Sequence, residues 1–173
     1  IDSDCNDGVP FLVMEYVEGR DLNSLTQQRG PMSIAWACEF CRQAAFGLQH
    51  AFEQGIVHRD IKPANLLATR RSPAKPVAVN ILDFGLSRFA SDTRDSGSLT
   101  AAHQIFGTVD FISPEQARSA RSADTRSDIF SLGCTLFYLM TGKPPFKGET
   151  AMEKLTARIA DQPISLKELR PET

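Results

Sequence analysis

The sequence predicts an α+β fold that is mainly helical, with one short strand near the start and a small β-hairpin in the first half. Three observations carry this. Apolar side chains recur in steps of four and three across residues 33–54, and residues 124–141 are apolar on more than one face. The remaining apolar runs are brief and bounded by Gly, Pro or polar residues.

Taken in order, residues 1–9 are polar and turn-like, Pro10–Val17 reads as a strand, and Gly19 ends it. Asp21 opens a short helix as its cap. The long helix starts at Ser33, which can cap it, and stops at Gln54 before Gly55. Ile34, Cys38, Cys41, Ala45, Leu48 and Phe52 form its expected apolar stripe, with Trp36 (a packing residue) and His50 (exposed) lying off it. Leu66-Leu67 and Val77–Leu82 read as the two strands of a hairpin, joined by a basic, Pro-containing turn. Residues 86–104 are rich in Ser, Thr, Asp and Arg and carry too little apolar area to fix themselves. Asp124–Thr141 reads as a largely buried helix in which Asp128 needs a partner, since an unpaired buried carboxylate is costly. Gly142 and the Pro144-Pro145 pair end it. Glu149–Ala160 is expected to form one further helix, and 161–173 a Pro-containing coil.

Composition excludes more than it names. With 42% hydrophobic and 23% charged residues in 173, the chain is ordinary soluble globular material, and a net charge of −2 points to neither nucleic acid nor an anionic membrane surface. No signal peptide or long apolar run occurs. Cys5, Cys38, Cys41 and Cys134 lack the spacing of a disulfide framework. The Cys38-x-x-Cys41 pair has no second pair or nearby His, so core thiols in a reducing cytoplasm are expected. The chain opens at Ile1 without Met and reads as a piece of something longer.

The chemistry concentrates in His58-Arg59-Asp60-Ile61-Lys62-Pro63-Ala64-Asn65. A hydroxyl attacking phosphorus needs a carboxylate to take its proton, a cation against charge on the phosphoryl oxygens, and an oxygen ligand for a metal. Asp60, Lys62 and Asn65 supply these in one loop. In Ile81–Leu86 an apolar run breaks at Asp83, a carboxylate that a divalent cation would offset, and Gly85 lets the chain turn after Phe84. A third stretch, Gly107–Glu115, holds Thr108 and ends in Ser113-Pro114-Glu115.

In this order the three stretches resemble the catalytic loop, the Asp-Phe-Gly element and the end of the activation segment of a serine/threonine protein kinase, closest to the eukaryotic-like kinases of bacteria. The resemblance implies ATP and Mg²⁺ as cofactors and Ser or Thr hydroxyls of proteins as acceptors. Asp60 would be the base, Lys62 would meet the transferred phosphoryl group, and Asn65 and Asp83 would hold Mg²⁺. Met14 would stand beside the adenine, the backbone of Glu15 and Val17 would bond its edge, Leu67 would lie beneath it, and Asp21 would touch the ribose. Arg59 would dock a phosphorylated segment, with Ser98 or Thr100 as the site, and Thr108 with Lys62 would position the acceptor. His58, Phe84, Gly85 and Glu115 would support the site, and Asp128 would bond the backbone of the His58-Arg59 turn.

Ile61, Phe111, Ser113 and Phe130 depart from the residues more usual in the family, and none of these changes removes a catalytic group. The resemblance covers the whole chain but only part of a kinase domain: residues 1–19 match the end of the N-terminal lobe and the hinge, and 20–173 the C-terminal lobe short of its last helices. No Gly-rich phosphate loop or Val-Ala-x-Lys strand occurs, so these residues alone are expected to bind ATP weakly, turn over little and aggregate readily. Two rival readings are a non-catalytic pseudokinase scaffold and a small-molecule phosphotransferase of related fold. The intact acids and the Ser113-Pro114-Glu115 ending weigh against them.

Overall fold

Asp2–Asn6 (β1) and Val9–Val13 (β2) pair antiparallel, with Asp2 opposite Val13 and Asn6 opposite Val9. This computed structural model describes residues 2–6, 9–70, 72, 74–84, 109–119 and 123–171, with side chains from residue 13 onward. The first nine residues are therefore not simply turn-like. A strand paired through its backbone needs no apolar pattern of its own, which is why Asp2-Ser3-Asp4-Cys5-Asn6 gave no signal. The strand expected to reach Val17 ends at Val13, and residues 14–19 are irregular.

A second sheet organises the rest. Arg20–Asp21 (β3) pairs with Leu66–Thr69 (β4), which pairs with Ala78–Ile81 (β5), all antiparallel; Asp21 lies opposite Leu67, and Leu66 opposite Ile81. The expected hairpin is present, and β3 adds a strand the sequence did not signal. Gly19 is needed where the chain enters: a Cβ there would sit 2.7 Å from the Ala68 carbonyl oxygen.

Leu22–Arg29 (α1) starts where Asp21 accepts the Ser24 N–H at 2.8 Å. Ile34–Glu53 (α2) is capped by Ser33 and left through Gly55 at φ 74°. Its buried face is Ala37, Phe40, Cys41, Ala44 and Ala51, not the expected stripe; Cys38, Ala45 and Phe52 are exposed. The helix is apolar around most of its circumference, and the face that packs is the one whose alanines let a neighbour approach closely.

That neighbour is Thr125–Thr141 (α4), capped by Asp124 and closed by Gly142 in a left-handed turn at φ 69°. Leu22, Ala37, Phe40, Cys41, Ala44, Leu66, Leu139 and Met140 form the main core between these elements. Ile129, expected inside, is 65% exposed, while Ser127, Asp128, Ser131 and Thr135 on the same helix are buried. Before α4 comes Pro114–Arg118 (α3), and after it Ala151–Ala160 (α5), which starts two residues later than expected because Thr150 is its cap. Leu166–Leu169 (α6) is a single helical turn where coil was expected. A smaller cluster of Phe111, Cys134, Phe146 and Ala157 joins α4 and α5 to the residues before α3. Among the described residues no helix is long and apolar enough to cross a membrane.

Candidate active site

The loop between α2 and β4 is held from outside by α4. Asp128, 4% exposed, accepts the His58 N–H at 2.8 Å with one carboxylate oxygen and the Arg59 N–H at 2.7 Å with the other. A buried carboxylate fully used in this way offsets its own desolvation and fixes two successive peptide planes. The clamp coincides with a strained residue, since Arg59 sits at φ 69°, a region most side chains avoid. A further tie comes from α3: the Gln116 side-chain amide donates to the Arg59 carbonyl at 2.8 Å.

Inside the loop the polar groups converge. The Lys62 ammonium lies 2.8 Å from one Asp60 carboxylate oxygen, and the Asn65 amide nitrogen donates to the Asp60 carbonyl at 2.8 Å and to the same carboxylate oxygen at 3.1 Å. The short 3₁₀ turn Pro63–Asn65 brings Asn65 back beneath Asp60, and Pro63 suits its first position. Ile61, only 1% exposed, anchors the middle of the loop in the core.

His58 connects this loop to the stretch around Asp83. Its Nδ1 accepts the Asp60 N–H at 3.2 Å, so the proton sits on Nε2, which donates to the Leu82 carbonyl at 2.8 Å. The Leu82 N–H donates to the Asn65 carbonyl at 2.9 Å. Phe84 meets the His58 ring edge-on at 4.8 Å. Asp83, between two pinned neighbours, is exposed and has φ 61°. The structure thus brings Asp60, Lys62, Asn65, His58, Phe84 and Asp128 into one bonded unit and sets Asp83 directly beside it.

Other residues singled out in the sequence are distributed differently. Asp21 is the cap of α1 and pairs across the sheet with Leu67. Met14 and Glu15 are exposed and Val17 is half-buried, all on the irregular run before β3. Glu115 accepts a hydrogen bond from Ser127 at 2.5 Å. Burial pushes its carboxyl up, but bonds from the Ser127 hydroxyl and its own backbone, with a smaller one from Ser113, hold it below the ordinary glutamate value. Gly85, Ser98, Thr100 and Thr108 lie outside the described residues.

Sequence reasoning missed Gln116. Its side chain completes a capping box with Ser113 while also reaching Arg59, and Ser113-x-x-Gln116 is a legible capping signature. Ser113, fully buried, also donates to the Ser127 hydroxyl at 3.0 Å, so the departure to Ser at this position adds a bond between α3 and α4.

The donor set can be tested for a divalent cation. With its nitrogen committed to Asp60, Asn65 has its amide oxygen left as a ligand, and Asp83 offers a carboxylate; both are the hard oxygen donors Mg²⁺ takes. Among the described residues no three His, Cys, Asp or Glu side chains gather as a metal site.

A mainly helical lobe that packs a long helix against a small sheet, with a clamped acid-lysine-amide loop at the sheet edge, has the protein-kinase-like fold. The chain belongs to the protein kinase family, whose protein kinase domain matches residues 5–172. It is 38% identical over 159 residues to the serine/threonine-protein kinase PknB of Mycolicibacterium smegmatis, covering 92% of this chain and 24% of that protein. To the serine/threonine-protein kinase PknB of Mycobacterium tuberculosis it is 39% identical over 156 residues, covering 90% and 24%. The chain therefore spans about a quarter of the length of these relatives. A crystal structure of Rad53 residues 1–466 in complex with AMP-PNP matches it at 28% identity with a TM-score of 0.66, over 90% of this chain and 36% of that one.

Proposed function

We propose that the protein containing this chain transfers the terminal phosphoryl group of Mg-ATP to Ser or Thr hydroxyls of proteins. The observation that carries the reading is the Asp60 carboxylate, held by Lys62 at 2.8 Å and Asn65 at 3.1 Å on a loop clamped by Asp128. Asp60 accepts the proton of the attacking hydroxyl. Lys62, already next to it, offsets charge on the transferred group. Asn65 and Asp83 would hold Mg²⁺, which would supply positive charge against the phosphate oxygens. Leu67 would lie beneath the adenine, and the run from Met14 to Val17 would border it.

Arg59 adds a regulatory reading. Among the described residues its Nε is buried with no hydrogen-bond partner, a state that a phosphate docking on the guanidinium would relieve. Phosphorylation at Ser98 or Thr100 would supply one. Replacing every hydroxyl residue from Ser91 to Thr100 by Ala should lower turnover, and unchanged turnover would remove this part.

The deciding experiment is ATP-dependent phosphorylation of a generic protein substrate by the full-length protein. Asp60→Asn should lower it by about a hundred-fold or more with folding unchanged. A small alcohol phosphorylated in place of protein, or an Asp60→Asn variant of full activity, overturns the assignment. The 173 residues alone should turn over little.

A further inference from the structure

A groove of about 710 Å³ among the described residues shares no residue with the His58–Asn65 loop or Asp83. It lies between α1, the start of α2 and the outer side of β4. Leu25, Met32, Trp36 and Phe40 give it an apolar floor. Trp36, the single tryptophan of the sequence, is 50% exposed there, its ring 5.3 Å from that of the buried Phe40. A half-exposed tryptophan braced from behind in a concavity is the kind of side chain that anchors a partner, because little entropy is lost when it is covered.

The rim is cationic. Arg20 comes from β3, Arg29 from the last turn of α1 and Arg70 from the end of β4, against Glu18 as the one acid of the lining. Arg20 donates to the neutral Gln28 side chain, and Arg70 donates through its Nε to the Lys75 carbonyl. The ion pairs of the described residues are Arg42–Glu39, Lys62–Asp60, Arg126–Asp124 and Lys154–Asp110, so none of the three rim arginines is neutralised by a described carboxylate. Three unneutralised guanidinium groups on separate elements around an apolar floor suit carboxylates spaced along a chain, with bulky apolar side chains between them.

We propose that this groove docks a linear segment of a partner protein in which acidic residues alternate with large apolar ones. Carboxylates meet Arg20, Arg29 and Arg70 while the apolar side chains cover Trp36 and Met32. The site is separate from the loop assigned to phosphoryl transfer, and the inference does not depend on that assignment.

The test is fluorescence anisotropy of a labelled peptide alternating Glu with Leu and Phe, titrated with the full-length protein. Saturable binding is expected, weakened about ten-fold or more by Trp36→Ala and by the exposed pair Arg29→Glu with Arg70→Glu. Circular dichroism should show each variant folded. Lys147→Glu, on a different surface, and Asp60→Asn should leave the affinity unchanged. The proposal is overturned if the peptide does not bind, or if a Lys-for-Glu peptide binds as tightly. Displacement of the peptide by inorganic phosphate or a mononucleotide alone, or an unchanged affinity after the double charge reversal, also overturns it.

Discussion

Lys154 of α5 holds its ammonium 2.9 and 3.0 Å from the two carboxylate oxygens of Asp110, with 14% and 18% of the two side chains exposed. Nearby, the Arg158 guanidinium lies over the Phe146 ring at 5.3 Å and donates to the Lys154 carbonyl at 2.6 Å. Among the described residues its Nε and Nη2 are buried without hydrogen-bond partners, and burial holds its pKa below the ordinary arginine value. This corner ties α5 to the residues just ahead of α3.

Breaking that pair from one side should cost more than removing both charges. Lys154→Met leaves a mostly buried carboxylate unpaired and is expected to destabilise by about 2 kcal/mol, discounted from a fully buried pair for its residual exposure. Adding Asp110→Asn should recover part of the loss. Urea midpoints at constant slope measure both, and strictly additive effects would contradict the coupling.

Removing the Asp128 clamp strands two backbone N–H groups. Asp128→Ala is expected to lower stability by on the order of 3 kcal/mol, at about 1–3 kcal/mol for each unsatisfied buried donor. Hydrogen exchange of the His58 and Arg59 amides should rise beyond what the global change explains. Protection equal to that of the unsubstituted protein would show that the clamp does not hold the loop.

Glu115 should contribute to acid sensitivity. Its folded pKa is depressed, so its contribution is complete above the ordinary value of 4.5 and is lost as pH falls through the lower folded value. Glu115→Gln and Ser127→Ala should each flatten the dependence of stability on pH below about 4.5. Denaturation measured from about pH 6 down to about pH 3 gives the slope, and identical slopes in all three proteins would sink the assignment.

Thiol reactivity should separate the cysteines. Burial pushes Cys41, with Cys38 nearby adding to the shift, and Cys134 up to about 12, whereas Cys38 is exposed. Alkylation mapped by peptide mass should modify Cys38 about a hundred-fold faster than either buried thiol, because the thiolate at an accessible site is the reacting species. Comparable rates at all three would mean that α2 does not bury the face described above.

The candidate site is more legible in the sequence than the packing around it. Asp60, Lys62, Asn65 and Asp83 stand out because acids and amides crowd into short apolar surroundings, a pattern that survives without tertiary information. The packed face of α2 did not, since Ile34, Trp36, Cys38, Phe40, Cys41, Phe46 and Phe52 point in nearly every direction and periodicity cannot choose among them. Small Ala37 and Ala44 decided it, because both are fully buried where α2 meets its neighbours. Arg20–Asp21 was invisible for a related reason: a two-residue strand is made by its partner, not by its own composition.

The hydrogen bond from His58 to Asp128 spans 70 positions of the chain. A nascent polypeptide that has emerged only as far as α3 already contains every residue of the His58–Asn65 loop, yet not the carboxylate that locks it. Synthesis therefore runs well past the loop before its geometry can be set, and the polar face of the loop is finished late, when α4 docks.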